Sequence, residues 1–454
     1  MSRLKGIKFP LIVILGEIFI WVFSTLPGNF SGDGIAVWYQ VTGVAGFYDW
    51  HPVIYTLLIK LLTLNGLLPW IVTIFQCILM CISIYLLTEF LFPKNSQKKN
   101  LWTVAFLFAT PFCGGIATEF WKDVPHTCFI IIGLTTLLNK KYKKIRSASI
   151  VITSIGLSFR HEGWIVFFVF FIVWTSLNLK NRFRLNFRTL FKSFVLIQIF
   201  SIVFSFGPPV MVNAVPSPAF LKSLSQIRDL GYVLKNNSSV FTQEEIALIK
   251  APSNEIGFAY LNYCQDAAIY MTPTNFDYQI ANANSGKISQ IWLKKVLSTN
   301  FPMMYEARKC FAQAFLPPPL SFVSGVPDTS KWLFWGIEPN PLGLSTYNSD
   351  GLANKFIKKY VENFSFNGSW IAWPGLHFLL FCLATTILRF RRQPSSEINM
   401  FLSFLFIKYA TFYVITVSMD FRYALMFHMF NLIFYLNFFS NHFSRFLRRS
   451  SRLG

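Results

Sequence analysis

Apolar runs separated by short basic connections fill most of the chain. Runs long enough to cross a bilayer, or nearly so, fall at about 9–26, 70–92, 101–117, 124–138, 147–159, 164–178, 193–213, 369–388, 399–418 and 421–439. A crossing helix needs roughly 20 apolar residues, and about 17 when short. The pattern predicts about ten transmembrane helices. One further run, 53–64, carries Thr56, Lys60 and Thr63 at i, i+4 and i+7. A single polar stripe on an apolar helix predicts a segment lying at the outer interface; the alternative is that it spans. Segment 214–368 breaks the rhythm. In it Thr242 and Glu245 have capping-box spacing ahead of 243–250, and 288–315 shows helical periodicity. The stretch 316–350 is rich in Pro and Gly and reads as loop.

Charge fixes sidedness. Six clusters hold 23 of the 41 Lys and Arg: residues 3–8, 94–99, 140–146, 180–192, 389–392 and 445–452, accompanied by a single acid, Glu397, just beyond the fifth. The positive-inside rule places all six in the cytoplasm, and anionic lipid would favour each basic residue there by about 1 kcal/mol. Ten crossings with both termini inside satisfy every interval. Five hairpin tips then face outward, at 27–69, 118–123, 160–163, 214–368 and 419–422. The expected organisation is an N-terminal membrane bundle (1–213, with its first outer loop at 27–69), a mostly helical extracytoplasmic domain (214–368), and C-terminal membrane helices with a basic tail (369–454). The basic start and apolar body of residues 1–26 lack an A-x-A-like site at Ser24-Thr25-Leu26-Pro27, so they read as an uncleaved anchor.

Composition narrows the class. Of 454 residues 53% are hydrophobic, 18% aromatic and 13% charged, with a net charge of +21. A soluble protein carries about 25% charged residues. These values exclude a soluble enzyme, a disordered chain and a disulfide-rich secreted domain. Positive charge spread between membrane-length segments argues against a nucleic-acid partner; the expected partner is the lipid bilayer. Segment 214–368 is nearly neutral, with 13 Lys/Arg and 11 Asp/Glu. Cys77, Cys81, Cys113, Cys128 and Cys382 lie in or beside apolar runs and read as packing residues. Cys264 and Cys310 share the outer segment, where a disulfide is chemically allowed but not readable from sequence. No zinc spacing, phosphate-binding loop or G-x-S-x-G elbow is present.

Candidate chemistry gathers at the outward tips. The first holds Asp33 in Ser31-Gly32-Asp33-Gly34, then Asp49-Trp50-His51-Pro52. The second reads Glu119-Phe120-Trp121-Lys122-Asp123, the third Arg160-His161-Glu162-Gly163, and the fifth Asp420-Phe421-Arg422-Tyr423. Charge at membrane depth costs roughly 2.5–3.5 kcal/mol per group, so opposite charges at tip after tip imply a shared protein-lined cavity. The plainer reading is that Lys122/Asp123 and Asp420/Arg422 are local pairs and caps. His126 reads as a core histidine, and Lys408 and His428 as helix contacts or cavity linings. Glu17 and Glu89 are given no role. The outward acids suit Mg²⁺ or Mn²⁺, though nothing requires a metal.

An acid shortly after the first membrane helix, then Trp-His-Pro about eighteen positions on and an apolar helix, resembles the GT-C superfamily of polytopic glycosyltransferases. The likeness is to the branch with protein O-mannosyltransferases and the aminoarabinose transferase of lipid A. Asp33 matches that branch's catalytic acid, and His51-Pro52 matches the start of its second motif. Trp121-Lys122-Asp123, Arg160-His161-Glu162-Gly163 and the Trp…Pro…Tyr…Arg order from Trp292 to Arg308 are similar to segments of bacterial members. Gly34 stands where the branch usually has a second acid, Val53 where it has a second Pro, and the large outer segment precedes the last three helices. The resemblance implies a GT-C-like fold in a bacterial cytoplasmic membrane and inverting transfer on its outer side. The donor would be a polyprenyl-phosphate sugar and the acceptor a glycan, lipid or protein hydroxyl. Asp33 would be the base and His51 its orienting partner; Arg160, Lys122 and Arg422 would meet the phosphate, with His161, Asp123, Asp49 and Trp50 lining the substrate site. The alternatives are a transporter or flippase of lipid-linked saccharides, an O-antigen polymerase or ligase, and a non-catalytic scaffold.

Overall fold

The computed structural model describes residues 2–178, 185–217, 219–254, 275–311, 336–337, 340–346, 351–367, 374–392, 395–415 and 424–450. Among them every regular element is a helix. In chain order these are α1 (Ser2–Thr25), α2 (Gly32–Thr42), α3 (Val53–Leu62), α4 (Trp70–Leu91), α5 (Gln97–Phe108), α6 (Asp123–Leu138), α7 (Arg146–Ser158), α8 (Gly163–Asn178) and α9 (Leu185–Met211). There follow α10 (Ala219–Lys222), α11 (Leu224–Asn236), α12 (Gln243–Lys250), α13 (Tyr278–Val296), α14 (Phe301–Phe311), α15 (Leu352–Asn367), α16 (Pro374–Arg392), α17 (Ser396–Ile415) and α18 (Leu425–Ser450).

Apart from 101–117, the described part of each apolar run falls in one helix, and cross-helix pairs set the directions. Trp21 Nε1 donates to the Phe108 carbonyl at 3.0 Å and Phe9 meets Trp102, so α1 and α5 run parallel. Ser83 bonds the Cys128 carbonyl and Glu89 bonds Tyr142, making α4 and α6 parallel. His126 meets Gly156 O while Thr136 meets Ser149, so α7 returns antiparallel to α6. Ser154 and Ser158 bond Ile197 and Ser201 carbonyls, aligning α9 with α7. Asn431 and Tyr435 do the same for α18 and α16. One end of the bundle therefore gathers the basic segments 94–99, 140–146 and 389–392. The opposite end gathers 26–69, 109–123 and 159–163.

Helix–helix approach relies on small residues, as it does wherever lipid cannot drive association. A Cβ on Gly133 would stand 2.1 Å from Thr153 Oγ1, and one on Gly156 2.8 Å from Phe129 Cβ. Outward, the bundle presents apolar side chains: Leu15, Phe19, Phe168, Val203 and Phe206 are all exposed. Helices at Ile7–Thr25, Trp70–Leu91 and Phe187–Met211 are long and apolar enough to cross a membrane; those at Val53–Leu62, Asp123–Leu138, Gly163–Asn178 and Gly375–Phe390 are apolar but shorter.

Three elements differ from the sequence pattern. Run 101–117 is not one helix: α5 stops at Phe108, and Pro111 opens a separate π-helical turn, Pro111–Gly115. Proline lacks the N–H that would continue the ladder. Helix α3 has 10 residues, about 15 Å of axis, half the hydrocarbon thickness. Its polar stripe points inward, with Thr56 and Thr63 buried, while Leu61, Leu64 and Leu67 face out; the stripe packs against protein instead of water. Periodicity over 288–315 conceals a break at 297–300, where Asn300 bonds the Ser298 hydroxyl and Pro302 enters the first turn of α14. The described part of 316–350 is irregular; the rest of it, Cys264 and the Cys310 side chain lie outside the described residues.

Helices α10–α14 build a second core. Leu224, Ile227, Leu230 and Leu234 form one apolar stripe on α11, facing Ile288 and Ile291 of α13 and Met304 and Ala307 of α14. Thr242 and Glu245 close the expected capping box on α12. Beside this core Asp229 accepts from Trp292 Nε1 at 2.9 Å and pairs with Arg308 at 3.3 Å. Burial pushes the Asp229 carboxyl up to about 6, against the pull of Arg308 and Trp292. The folded domain thus holds this proton more tightly than the unfolded chain. Its contribution to stability is complete below the ordinary carboxylate pKa and is lost as pH rises through about 6. Hydrogen exchange of the α11 amides, corrected for intrinsic rates, should accelerate across that interval. Asp229→Asn should flatten the profile, and an equally steep profile in that variant would assign the effect to another group.

Candidate functional site

The tip end is floored by a third apolar cluster. Phe30 stacks on Phe120 with centroids 4.5 Å apart, Trp38 meets Phe120 edge-on, and Tyr55 meets Phe159. These rings come from four chain-distant segments and fix where each polar tip emerges. Backbone bonds tie the first tip to the second: Asn29 N to Thr118 O at 3.0 Å and Phe120 N to Asn29 O at 2.8 Å. Asn29 Nδ2 also donates to Thr118 Oγ1, its Oδ1 accepts from Gly336 N, and Trp121 Nε1 donates to Ser31 Oγ. Close contact explains Gly34. A Cβ there would stand 3.0 Å from the Phe120 carbonyl, so a second acid after Asp33 would need the Phe120 backbone to give way slightly.

Asp33 lies in the first turn of α2, where the helix dipole favours an ionised carboxylate. Its side chain is 43% exposed and stands 4.0 Å from Nε2 of the buried His51. On the other side of the ring, Nδ1 receives a hydrogen bond from Lys122 Nζ at 2.9 Å. An ammonium can only donate, so Nδ1 is the acceptor and Nε2 of the neutral ring carries its proton towards Asp33. Pro52 precedes α3 and holds His51 just outside the helix.

The third tip joins from behind. Arg160 NH1 bonds Asp123 and its Nε bonds Glu162, with the guanidinium largely buried between the two carboxylates. Burial works to raise the Glu162 carboxyl, but Arg160, a backbone hydrogen bond and Lys122 hold it below its ordinary value. His161 Nε2 lies 3.3 Å from the Trp50 carbonyl and 3.9 Å from Asp49 Oδ1. Burial lowers the His161 imidazole below its usual value, with Asp49 opposing. Asp49 is set by its neighbours: its N–H donates to Val215 O, and its carbonyl accepts from Ser217.

Asp33, Asp49, Trp50, His51, Lys122, Asp123, Arg160 and His161 therefore stand in one neighbourhood. Lys122 and Asp123 each reach a different tip. Arg422 and Asp420 lie outside the described residues. Lys408, expected as a helix contact or cavity lining, and His126, expected in the core, border this neighbourhood. Lys408 of α17 donates to His126 Nε2 at 2.9 Å, and His126 Nδ1 in turn donates to Gly156 O at 2.7 Å. Glu162 completes the Arg160 clamp. A charged residue inside an apolar run was the available signal for Lys408, since such residues face protein interiors or cavities. One small cavity is lined by His126, Arg160, Glu162 and Lys408, another by Asp33, His51, Lys122 and Asp123. Each encloses about 10 Å³, close to the minimum for one water. Among the described residues no three His, Cys, Asp or Glu side chains group as metal ligands.

Apolar helices of membrane length, an apolar outer surface and ionisable groups collected at one end define the class: a helical membrane protein. Beyond that class the chain stands alone, matching no family model, no curated protein and no solved structure.

Proposed function

We propose that the chain is a polytopic membrane glycosyltransferase of the GT-C kind, taking sugar from a polyprenyl-phosphate donor on the extracytoplasmic side. The observation that carries this reading is the meeting of three distant tips, which lines one small cavity with a partly exposed carboxylate (Asp33) and Lys122, and joins Arg160 to it through Asp123. By the positive-inside rule the basic end faces the cytoplasm. Ten crossings then place the tips outside, with α3 at the outer interface and α10–α14 as the extracytoplasmic domain.

The chemistry asks for little else. An acceptor hydroxyl attacks the anomeric carbon from the face opposite the phosphate and forms a new C–O bond with inversion. Its proton passes to Asp33, which acts as general base. The bond between the anomeric carbon and the phosphate oxygen breaks, and its electron pair leaves on the polyprenyl phosphate. Cations already in place where that charge develops lower the barrier by several kcal/mol. Arg160 offers a planar fork for phosphate, Lys122 a point charge, and His51 orients Asp33. Exposed aromatic and aliphatic helix faces accommodate the prenyl tail.

Purified protein incubated with a panel of polyprenyl-phosphate sugars and candidate acceptors should release free polyprenyl phosphate and yield glycosylated product. Absence of release across donors differing in sugar and prenyl length would remove the transferase reading. Vectorial movement of intact donor across vesicles without cleavage would replace it with a flippase.

A further inference from the structure

A large cavity lies at the opposite end from the acid and cation cluster. It encloses about 920 Å³ between the C-terminal ends of α4, α6, α16 and α18 and the start of α17. Phe90, Leu138, Leu388 and Phe434 wall its interior, and Lys94 and Lys140 stand at its mouth. Helix ends fix its shape: Asn95 Nδ2 donates to Asn437 Oδ1 at 2.9 Å, and Lys99 Nζ donates to Asn441 Oδ1 at 2.7 Å. It is thus a formed chamber with an apolar floor and a polar rim.

Charge around the rim is predominantly positive, although Glu397 also lines it. Lys94, Lys98, Lys99, Lys140, Lys141, Lys143 and Lys144 flank it in sequence. The acids nearby are each already engaged, Glu89 by Lys141 at 2.5 Å and Glu397 by Lys140 at 3.7 Å. An occupant must satisfy both halves: hydrocarbon against Phe and Leu walls, and negative charge at the Lys rim. A soluble anion would leave the floor unfilled, and a zwitterionic lipid would leave the rim uncompensated. We infer that this chamber binds one anionic phospholipid, its phosphate at Lys94 and Lys140 and an acyl chain laid along α16 and α18. Basic pockets between membrane helices take acidic headgroups for the same electrostatic reason. The site rests on the membrane character of the chain, not on the transferase reading.

The test uses full-length protein in detergent with a diazirine-bearing phosphatidylglycerol. Photolabel should map to residues 387–388 and 434–438, and unlabelled phosphatidylglycerol should compete where phosphatidylcholine does not. The double variant Lys94→Glu, Lys140→Glu should lose labelling there by about tenfold or more, two basic groups having been reversed beside a lipid phosphate. Label on the outward faces of α1, α8 and α9 should stay unchanged, reporting nonspecific annular lipid and intact folding. Equal competition by both phospholipids, or labelling confined to those outward faces, would overturn the inference. Competition by millimolar inorganic phosphate would reassign the rim to a soluble anion and overturn it as well. If the double variant does not fold, the competition and mapping on the native sequence decide the matter.

Discussion

Asp33→Asn is expected to lower sugar transfer by about 10²–10⁴-fold, the range over which a positioned general base contributes. The substitution is nearly isosteric and its side chain is 43% exposed, so melting temperature and donor binding should change little. His51 and Lys122 remain paired at 2.9 Å and need no new partner. Single-turnover measurement with saturating donor isolates the chemical step. A variant retaining more than about a tenth of native rate would place the base elsewhere, since a tenfold loss is too small for that role.

Arg160→Ala should be costly in a different way. The guanidinium is shared by Asp123 and Glu162, and all three groups are largely removed from solvent. Deleting the cation removes the partner that two largely buried carboxylates share, which typically costs about 3–5 kcal/mol. The variant is expected to melt earlier in detergent and to lose transfer. A triple variant separates these effects: Arg160→Ala combined with Asp123→Asn and Glu162→Gln should regain most of the stability and none of the activity. Recovered transfer in the triple variant would make Arg160 a structural clamp alone and move the phosphate contact to Lys122 or Lys408.

Sequence carried the bundle further than it carried the site. Hydrophobic runs and basic clusters are local properties, so the helical character of the apolar runs and the basic end of the bundle were readable one segment at a time. Breaks were less so. Pro111 was visible, yet apolar residues on both sides masked the end of α5, and the 297–300 interruption hides because both flanking helices keep the same apolar face. For α3 periodicity identified the stripe but not the side it faces, because burial against protein and exposure at an interface demand different partners for one pattern. In the site, tips rich in opposite charge signalled a meeting place, whereas pairing did not follow from adjacency. Lys122 reaches His51, 71 positions away, and Lys408 reaches His126 across 282. Such contacts depend on helix register, which no local window contains.

Asn29 gives the mouth of the cluster a place in time. It accepts a hydrogen bond from Gly336, a residue 307 positions later, and the neighbouring Phe30 N–H reaches the same glycine's carbonyl. A ribosome will have released α1 through α14 before that partner exists. Until then Asn29 and Phe30 lack this partner, so the finished mouth is among the last parts of the molecule to be assembled during synthesis. Nascent chains truncated before this glycine should carry a first loop more open to protease than that of the full-length protein.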